Sequence, residues 1–265
     1  MSGKEKSDGK PKESKVERWK KEIQPIVSEI RYSLHLIRAH PLAIAGLMTT
    51  LGLVLTAIFS PWLSPSDPLA LDLPGKLQPP SFGHMFGTDD LGRDILSRVI
   101  AGSRVSLRIA ITVVAFAFTL GTALGIVAGY FGGVVDEVVM RLTDVFLSIP
   151  SLVLALVIAA ALGPGLENAV LSLCATWWPW YTRLARGEAL SVREKQYVEA
   201  GRMVGASDFR LVIRHILPNC LSPVIVNASM DMGFVILTAA GLSFIGLGAQ
   251  PPSPEWGAML SLGRT

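Results

Sequence analysis

From Pro41 to Leu63 the chain runs twenty-three residues without a charged side chain. As a helix that stretch crosses the ~30 Å hydrocarbon core of a bilayer, and only a helix or a closed barrel satisfies its own backbone polar groups there. Four more stretches read the same way, at about Val105 to Tyr130, Asp144 to Leu162, Leu166 to Tyr181 and Leu221 to Gly248. Helices of a soluble core would carry polar faces at a 3.6-residue period, and these show almost none. With half of all residues hydrophobic and 17% charged, the expected fold is an all-α membrane protein, a polytopic helical bundle of five visible spans.

Lysine and arginine set the expected orientation. Ten of them fall between Lys4 and Arg38, and seven more, Arg183, Arg186, Arg193, Lys195, Arg202, Arg210 and Arg214, fall in one polar island between spans. Positive loops stay on the cytoplasmic side, and the four spans between these two segments return the chain to the side it left. The expected organisation is therefore a cytoplasmic basic segment over 1–40, a first transmembrane helix over 41–63, an external loop with an amphipathic helix over 64–104, and a core over 105–265 that carries a cytoplasmic loop at 188–219. This accounts for the net charge of +3 without a nucleic-acid partner; the partner of the basic face is the lipid membrane. Met1 to Lys21, rich in Lys, Glu and Ser, reads as a solvated tail rather than a cleaved signal peptide, whose short charged region runs straight into an apolar one. Cys174 and Cys220 have no CxxC spacing and read as packing residues.

The polar island carries local helix signals. Ser191 and Glu194 have the spacing of a capping box, so a helix is expected from there to Val204, ended by Gly205, which tolerates the left-handed conformation. A second helix is expected from Ser207 or Asp208 to just before Pro218. In it Phe209, Val212, Ile213, Ile216 and Leu217 form an apolar stripe, with Arg210 and Arg214 pointing elsewhere. In the first, Tyr197, Val198, Ala200 and Gly201 make a small-residue surface beside Glu199, which suits close approach by a partner. A plain cytoplasmic loop with helical pieces is the alternative on these grounds alone.

Glu199-Ala200-Gly201, then Gly205, then Ile216-Leu217-Pro218 resembles the "EAA" loop of permease subunits in binding-protein-dependent ABC importers. The longer string from Tyr197 through Gly205-Ala206-Ser207 to His215-Ile216-Leu217-Pro218-Asn219 is similar to the dipeptide, oligopeptide and nickel branch. Gly201 replaces that family's second alanine, and His215 stands where many branches have isoleucine. Phe86-Gly87-Thr88-Asp89-Asp90-Leu91-Gly92-Arg93-Asp94 with Ser97-Arg98 and Gly102 to Leu107 resembles the segment before the second span of the C-type subunit. Toward the end, Ala240 to Gly248, Gln250-Pro251-Pro252 and Glu255-Trp256-Gly257 also match. Many relatives carry a glutamate where this chain has Ala239, and they continue into a sixth span where it stops at Thr265, so the sequence is expected to end early.

The resemblance implies a type I ABC importer transmembrane fold. It also implies a coupling loop that uses Tyr197, Glu199, Ala200, Gly201, Gly205, Asp208, Arg210, His215 and Pro218. The partners it implies are a homologous B-type permease, two ABC ATPase subunits that hold ATP and magnesium, and an extracytoplasmic substrate-binding protein. No G-x-x-x-x-G-K-[ST] phosphate loop occurs, so no catalytic residue, cofactor or metal is expected in this chain itself. The function the resemblance implies is that of a permease subunit of an ATP-driven importer for di- or oligopeptides, with oligosaccharide or nickel uptake by the same machinery as the alternative. A secondary transporter is the rival from another class, and the internal repeat that would mark it is not found.

Asp231 is the sharpest polar residue inside a span, and two readings stand: a wall of the substrate path, or a protonated or paired structural acid. Leu91, Ile95, Leu96, Val99 and Ile100 put one apolar face on a helix expected to lie along the outer membrane surface, with Arg93 and Asp94 packed within the chain or against lipid. Pro150 and Pro179 are expected to kink their helices. Trp177, Trp178, Trp180 and Tyr181 read first as an interfacial belt and second as a substrate-contacting cluster.

Overall fold

The computed structural model describes residues 38–264. Apart from its last three residues, the basic segment expected over 1–40 lies outside the described residues. Among those described there is no strand, only one isolated bridge between Thr88 and Asp94. Among the described residues, those up to Leu53 and those from Val54 onward fall into two compact units. Helix α1 (Pro41–Leu63) buries only Ala57 and Ser60, as suits a helix apolar on every side whose surroundings are lipid.

The rest of the chain builds α2 (Ile95–Phe131), α3 (Gly133–Leu147), α4 (Ser151–Leu162), α5 (Leu166–Arg193), α6 (Gln196–Met203) and α7 (Asp208–Leu211). A π-helical turn (Val212–Ile216), α8 (Leu217–Phe244) and α9 (Trp256–Gly263) follow. By length and composition α1, α2 and the run from Asp208 to Phe244 can each cross a membrane, and α3 with α4 adds a fourth span if that pair, bent by 83°, is counted as one. Five had been expected. The fifth, α5, is helical over the predicted stretch but continues through Arg183, Arg186, Glu188 and Arg193, too polar along its second half to count by composition. The bend between α3 and α4 falls at Ser148 to Pro150, where proline can neither donate a backbone hydrogen bond nor continue the preceding helix.

Helices α2 and α5 form the central pair. Gly121, Gly125 and Gly129 recur every fourth residue along α2, and a Cβ added at Gly125 or Gly129 would stand 2.8 Å from the Cβ of Ala185 or Ala189 on α5. Such small-residue seams bring backbones into contact, the main source of attraction between helices where lipid is as apolar as any side chain. Two buried clusters flank the seam. One gathers Tyr130, Tyr181, Ala189, Val192, Val198, Leu211 and Ile216. The other gathers Ile109, Val113, Ala155, Leu173, Val235 and Leu242. Cys220 belongs to the first and Cys174 to the second.

The amphipathic surface helix expected around Leu91 to Ile100 is not a separate element. Its residues from Ile95 onward are the first turns of α2, whose 37 residues run about 55 Å, well beyond the hydrocarbon core. Asp94 caps that helix, its carboxylate accepting from the Ser97 amide at 2.8 Å. The face turned inward is the polar one: Arg93, Asp94, Ser97 and Arg98 are buried, while Ile95, Leu96, Val99 and Ile100 are half-buried. Asp89 holds this cap together, accepting from the Leu91 and Arg93 amides at 2.9 Å each and from Arg93 Nε at 2.7 Å. Arg98 donates to the Pro68 carbonyl at 3.0 Å. The Glu255-Trp256-Gly257 string closes the cap from the other end of the chain: Glu255 caps α9 through the Ala258 amide at 2.9 Å, and the Trp256 indole donates to the Val99 carbonyl at 3.0 Å.

Candidate functional site: a rooted loop and a charged cleft

The nine residues singled out in the polar island, from Tyr197 to Pro218, stand together in one helical corner. Helix α5 does not stop for a capping box at Ser191 as expected. Burial of Ala189 and Val192 against the end of α2 carries it on to Arg193, since packing outweighs a local capping signal in a long helix. Arg193 Nη1 then donates to the Gly129 and Tyr130 carbonyls at 3.1 Å each, which satisfies the last acceptors of α2. Helix α6 starts after Lys195 with no side-chain cap. It ends where expected, at Gly205, whose φ of 80° is left-handed. Helix α7 begins at Asp208, as expected.

Pro218 does not end the second helix. The backbone widens instead through the π-helical turn, where the Leu217 amide reaches back five residues to the Val212 carbonyl, and α8 carries on to Phe244. A proline has no amide to give to the carbonyl four residues earlier and its ring crowds that carbonyl, so one wide turn lets the helix pass. The Asn219 amide nitrogen donates to the His215 carbonyl at 2.6 Å in the same turn.

This corner has a buried root and an exposed tip. Val198, Leu211 and Ile216 are fully buried, and Gly201 lies where any Cβ would stand 2.8 Å from Leu211 Cδ2. The root fastens on Tyr130 at the end of α2: its hydroxyl donates to Asp208 Oδ1 at 2.6 Å, and the Arg202 guanidinium sits 5.2 Å from its ring centroid. On the outside, Met203, Val204 and Phe209 are 78%, 84% and 77% exposed, with Glu199, Ala200, Arg202 and Arg210 exposed around them. Tyr197 is exposed and its ring lies 6.1 Å from the half-buried ring of His215. An apolar ridge with mixed charges at its rim is the composition of a protein-docking surface.

Asp231 stands apart from this corner, on α8. It lines a cleft of about 670 Å3 together with Asn227, Phe234 and Thr238 from the same face of α8, Trp177, Trp180, Arg183 and Leu184 from α5, and Ser151 from α4. Asn227 Nδ2 donates to Asp231 Oδ2 at 3.1 Å. Arg183 Nη2 donates to Asp144 Oδ1 on α3 at 2.6 Å. One turn further along α5, Arg186 holds Asp136 with two parallel hydrogen bonds, Nη2 to Oδ2 at 2.6 Å and Nε to Oδ1. Of the aromatic cluster, Trp178 and Tyr181 are buried in the core, and Trp177 and Trp180 line the cleft.

Sequence reasoning passed over three features. These are the Gly121, Gly125, Gly129 seam, the role of Tyr130 as anchor of the loop, and Arg183 as a cleft residue. The first was legible as a four-residue repeat of glycine. The third was legible as one helix face shared with Trp177 and Trp180.

Residues 121–264 match the family model described as binding-protein-dependent transport system inner membrane component. Residues 28–80 match that of the N-terminal TM domain of oligopeptide transport permease C. The chain is 50% identical over 229 residues to the probable D,D-dipeptide transport system permease protein DdpC of Escherichia coli, covering 86% of this chain and 77% of that one. It is 42% identical over 238 residues to the dipeptide transport system permease protein DppC of Alkalihalophilus pseudofirmus, covering 90% and 78%. Among solved structures it resembles the inward-facing MetNI methionine ABC transporter, with a TM-score of 0.52 at 20% identity over 58% of this chain and 77% of that one, a likeness of fold.

Proposed function

This chain belongs to the binding-protein-dependent family of inner membrane transport components, as a permease subunit of an ABC importer, and from that premise we propose that its cargo is a peptide and that the Glu199 to Pro218 loop couples it to an ATPase. Dipeptide transport in the names of the relatives at 50% and 42% identity supports the cargo. The partners that follow from this reading are a homologous permease, two ATPase subunits that hydrolyse ATP with magnesium, and an external binding protein. The basic loop faces the ATPases on the cytoplasmic side and the buried-charge cap faces outward.

The observation that carries the coupling role is the pair of helices leaving the corner. Helix α5 runs from Trp177 in the cleft to Arg193 at the corner, and the run from Asp208 to Phe244 returns from the corner to Asp231. Those stretches are about 24 Å and 35 Å long at 1.5 Å per residue. A helix of that length is stiff, so tilting the corner moves the cleft walls without any intervening mobile link. ATP-driven closure of the ATPase pair would tilt the corner, and the cleft would open alternately to the two sides. Glu199, exposed on the first turn of α6, meets the ATPase at the rim of the Met203, Val204 and Phe209 ridge.

Co-purification with the ATPase and companion permease tests this directly. Wild type is expected to bring the ATPase down, and Glu199→Lys to lose or weaken it while still inserting into the membrane. Equal recovery with both chains removes Glu199 from the contact, and no recovery with either ends the coupling reading.

A further inference from the structure

We infer that the cleft between α4, α5 and α8 is itself a binding site for a short peptide with both ends free, in which Asp231 receives the ammonium group and Arg183 the carboxylate; this rests on the peptide-importer reading above. Two helices each turn one face to this space. Asn227, Asp231, Phe234 and Thr238 recur at spacings of four, three and four on α8, while Trp177, Trp180 and Arg183 recur at three on α5. A volume of about 670 Å3 is in the range of small-molecule sites.

The charges have the two signs of a peptide's ends and line one cleft. Asp231 interacts with both Trp177 and Tyr181 on α5, and Arg183 follows on the same helix within two turns of each.

Both charges can take a further partner. Asp231 accepts from Asn227 at Oδ2 and interacts with the Trp177 and Tyr181 side chains, and a carboxylate's two oxygens offer about four acceptor sites, so an ammonium group can still be added. Arg183 meets Asp144 through Nη2 alone, in a pair whose side chains are 50% and 59% exposed. Such an exposed pair is weakly held, and a guanidinium has five donors, enough to keep Asp144 while gripping a second carboxylate. Trp177 and Trp180 line the same space and offer apolar surface to a peptide's side chains. Opposite charges facing one cleft have no use for a neutral sugar. Among the described residues no group of three His, Cys, Asp or Glu stands ready for a metal ion.

Equilibrium dialysis of radiolabelled dialanine against the assembled complex in nanodiscs, with the external binding protein omitted, measures this site by itself. N-acetyl-dialanine and dialanine amide serve as competitors. For wild type each modified peptide is expected to bind about tenfold or more weakly than dialanine, because each lacks one charge-assisted contact. Asp231→Asn should erase the preference over the N-acetyl peptide and keep that over the amide, and Arg183→Gln should do the reverse. Asp231→Glu and Arg183→Lys keep the charge and should keep both preferences, which separates lost charge from lost folding. If both neutral variants discriminate as wild type does, or wild type does not discriminate, the cleft proposal is overturned. Peptide uptake by the same complex with its binding protein restored is measured alongside. Uptake without discrimination in the cleft overturns only the cleft proposal, whereas no uptake of any peptide overturns the peptide-cargo reading and this proposal together.

Discussion

Helix α2 ends in two regions built on opposite plans. At its start, the cap around Asp89 buries two arginines and gives them partners: Arg93 and Arg98 are each 2% exposed, and Asp89 accepts from two amides and a guanidinium. At its end, the loop corner buries apolar side chains and leaves its charges outside, touching the rest of the chain through Tyr130 and the Val198, Leu211 and Ile216 root. A fully satisfied charge network has nothing left to offer a partner, so it serves as a fixture. An exposed apolar ridge on a narrow root keeps surface to offer a partner, as the proposed coupling role requires. The end of the chain straps the cap through Trp256, whose indole donates to the Val99 carbonyl of α2, whereas no comparable strap crosses the tip of the loop among the described residues.

The largest expected effect breaks the cap. Asp89→Ala leaves Arg93 and Arg98 buried without their shared acid, a loss of about 3–5 kcal/mol. In detergent-purified protein the thermal midpoint should drop on the order of 10 °C. A drop no larger than that of a surface substitution would mean that the cap is not a fixture and that water enters it freely.

The loop should answer differently to a change of smaller energy. Gly205 has open space around the position of a Cβ but a φ of 80°, so Gly205→Val costs about 1–2 kcal/mol through backbone strain alone. The strain falls at a tip that opens by itself, so the thermal midpoint should scarcely move, while peptide-stimulated ATP hydrolysis by the complex should fall severely as the angle between α6 and α7 changes. Gly205→Asn, which tolerates the left-handed region, should recover most of the activity. An equal loss in stability and activity would make the corner one more fixture.

How far each region was legible in the sequence follows from the same difference. The spans declared themselves through missing charge, and the loop through residues whose backbone demands are local, Gly205 and Asp208. The corner was misread where tertiary packing decides: α5 passes Ser191 because Ala189 and Val192 are buried, and Pro218 is absorbed by a widened turn. In the cap, Leu91 to Ile100 suggested an apolar face toward lipid. Which face turns inward depended on Asp89, Pro68 and Trp256, all outside the helical window. Asp231 could be picked out alone as a charge in a span, but its partner in the cleft, Arg183, lies on another helix, and no periodicity within one segment pairs the two.

The smallest effect sharpens the comparison through pH. Burial of Asp94 by itself pushes its carboxyl upward, but the hydrogen bonds from Ser97 and the nearby His84 outweigh it and hold the group below the ordinary aspartate range. A folded-state value below the unfolded one means that the ionised form stabilises the fold. That contribution is complete above the unfolded value of about 4 and is lost as pH falls through the folded value. Asp94→Asn keeps the shape and part of the bonding to Ser97 but cannot titrate. The thermal midpoint of wild type should therefore exceed that of the variant down to about pH 4, with the gap closing below it. The cap's contribution is then an electrostatic one that acid removes. A gap that stays open down to pH 2 would assign it to hydrogen-bond geometry instead, since a neutral carboxyl would be serving as well as a charged one.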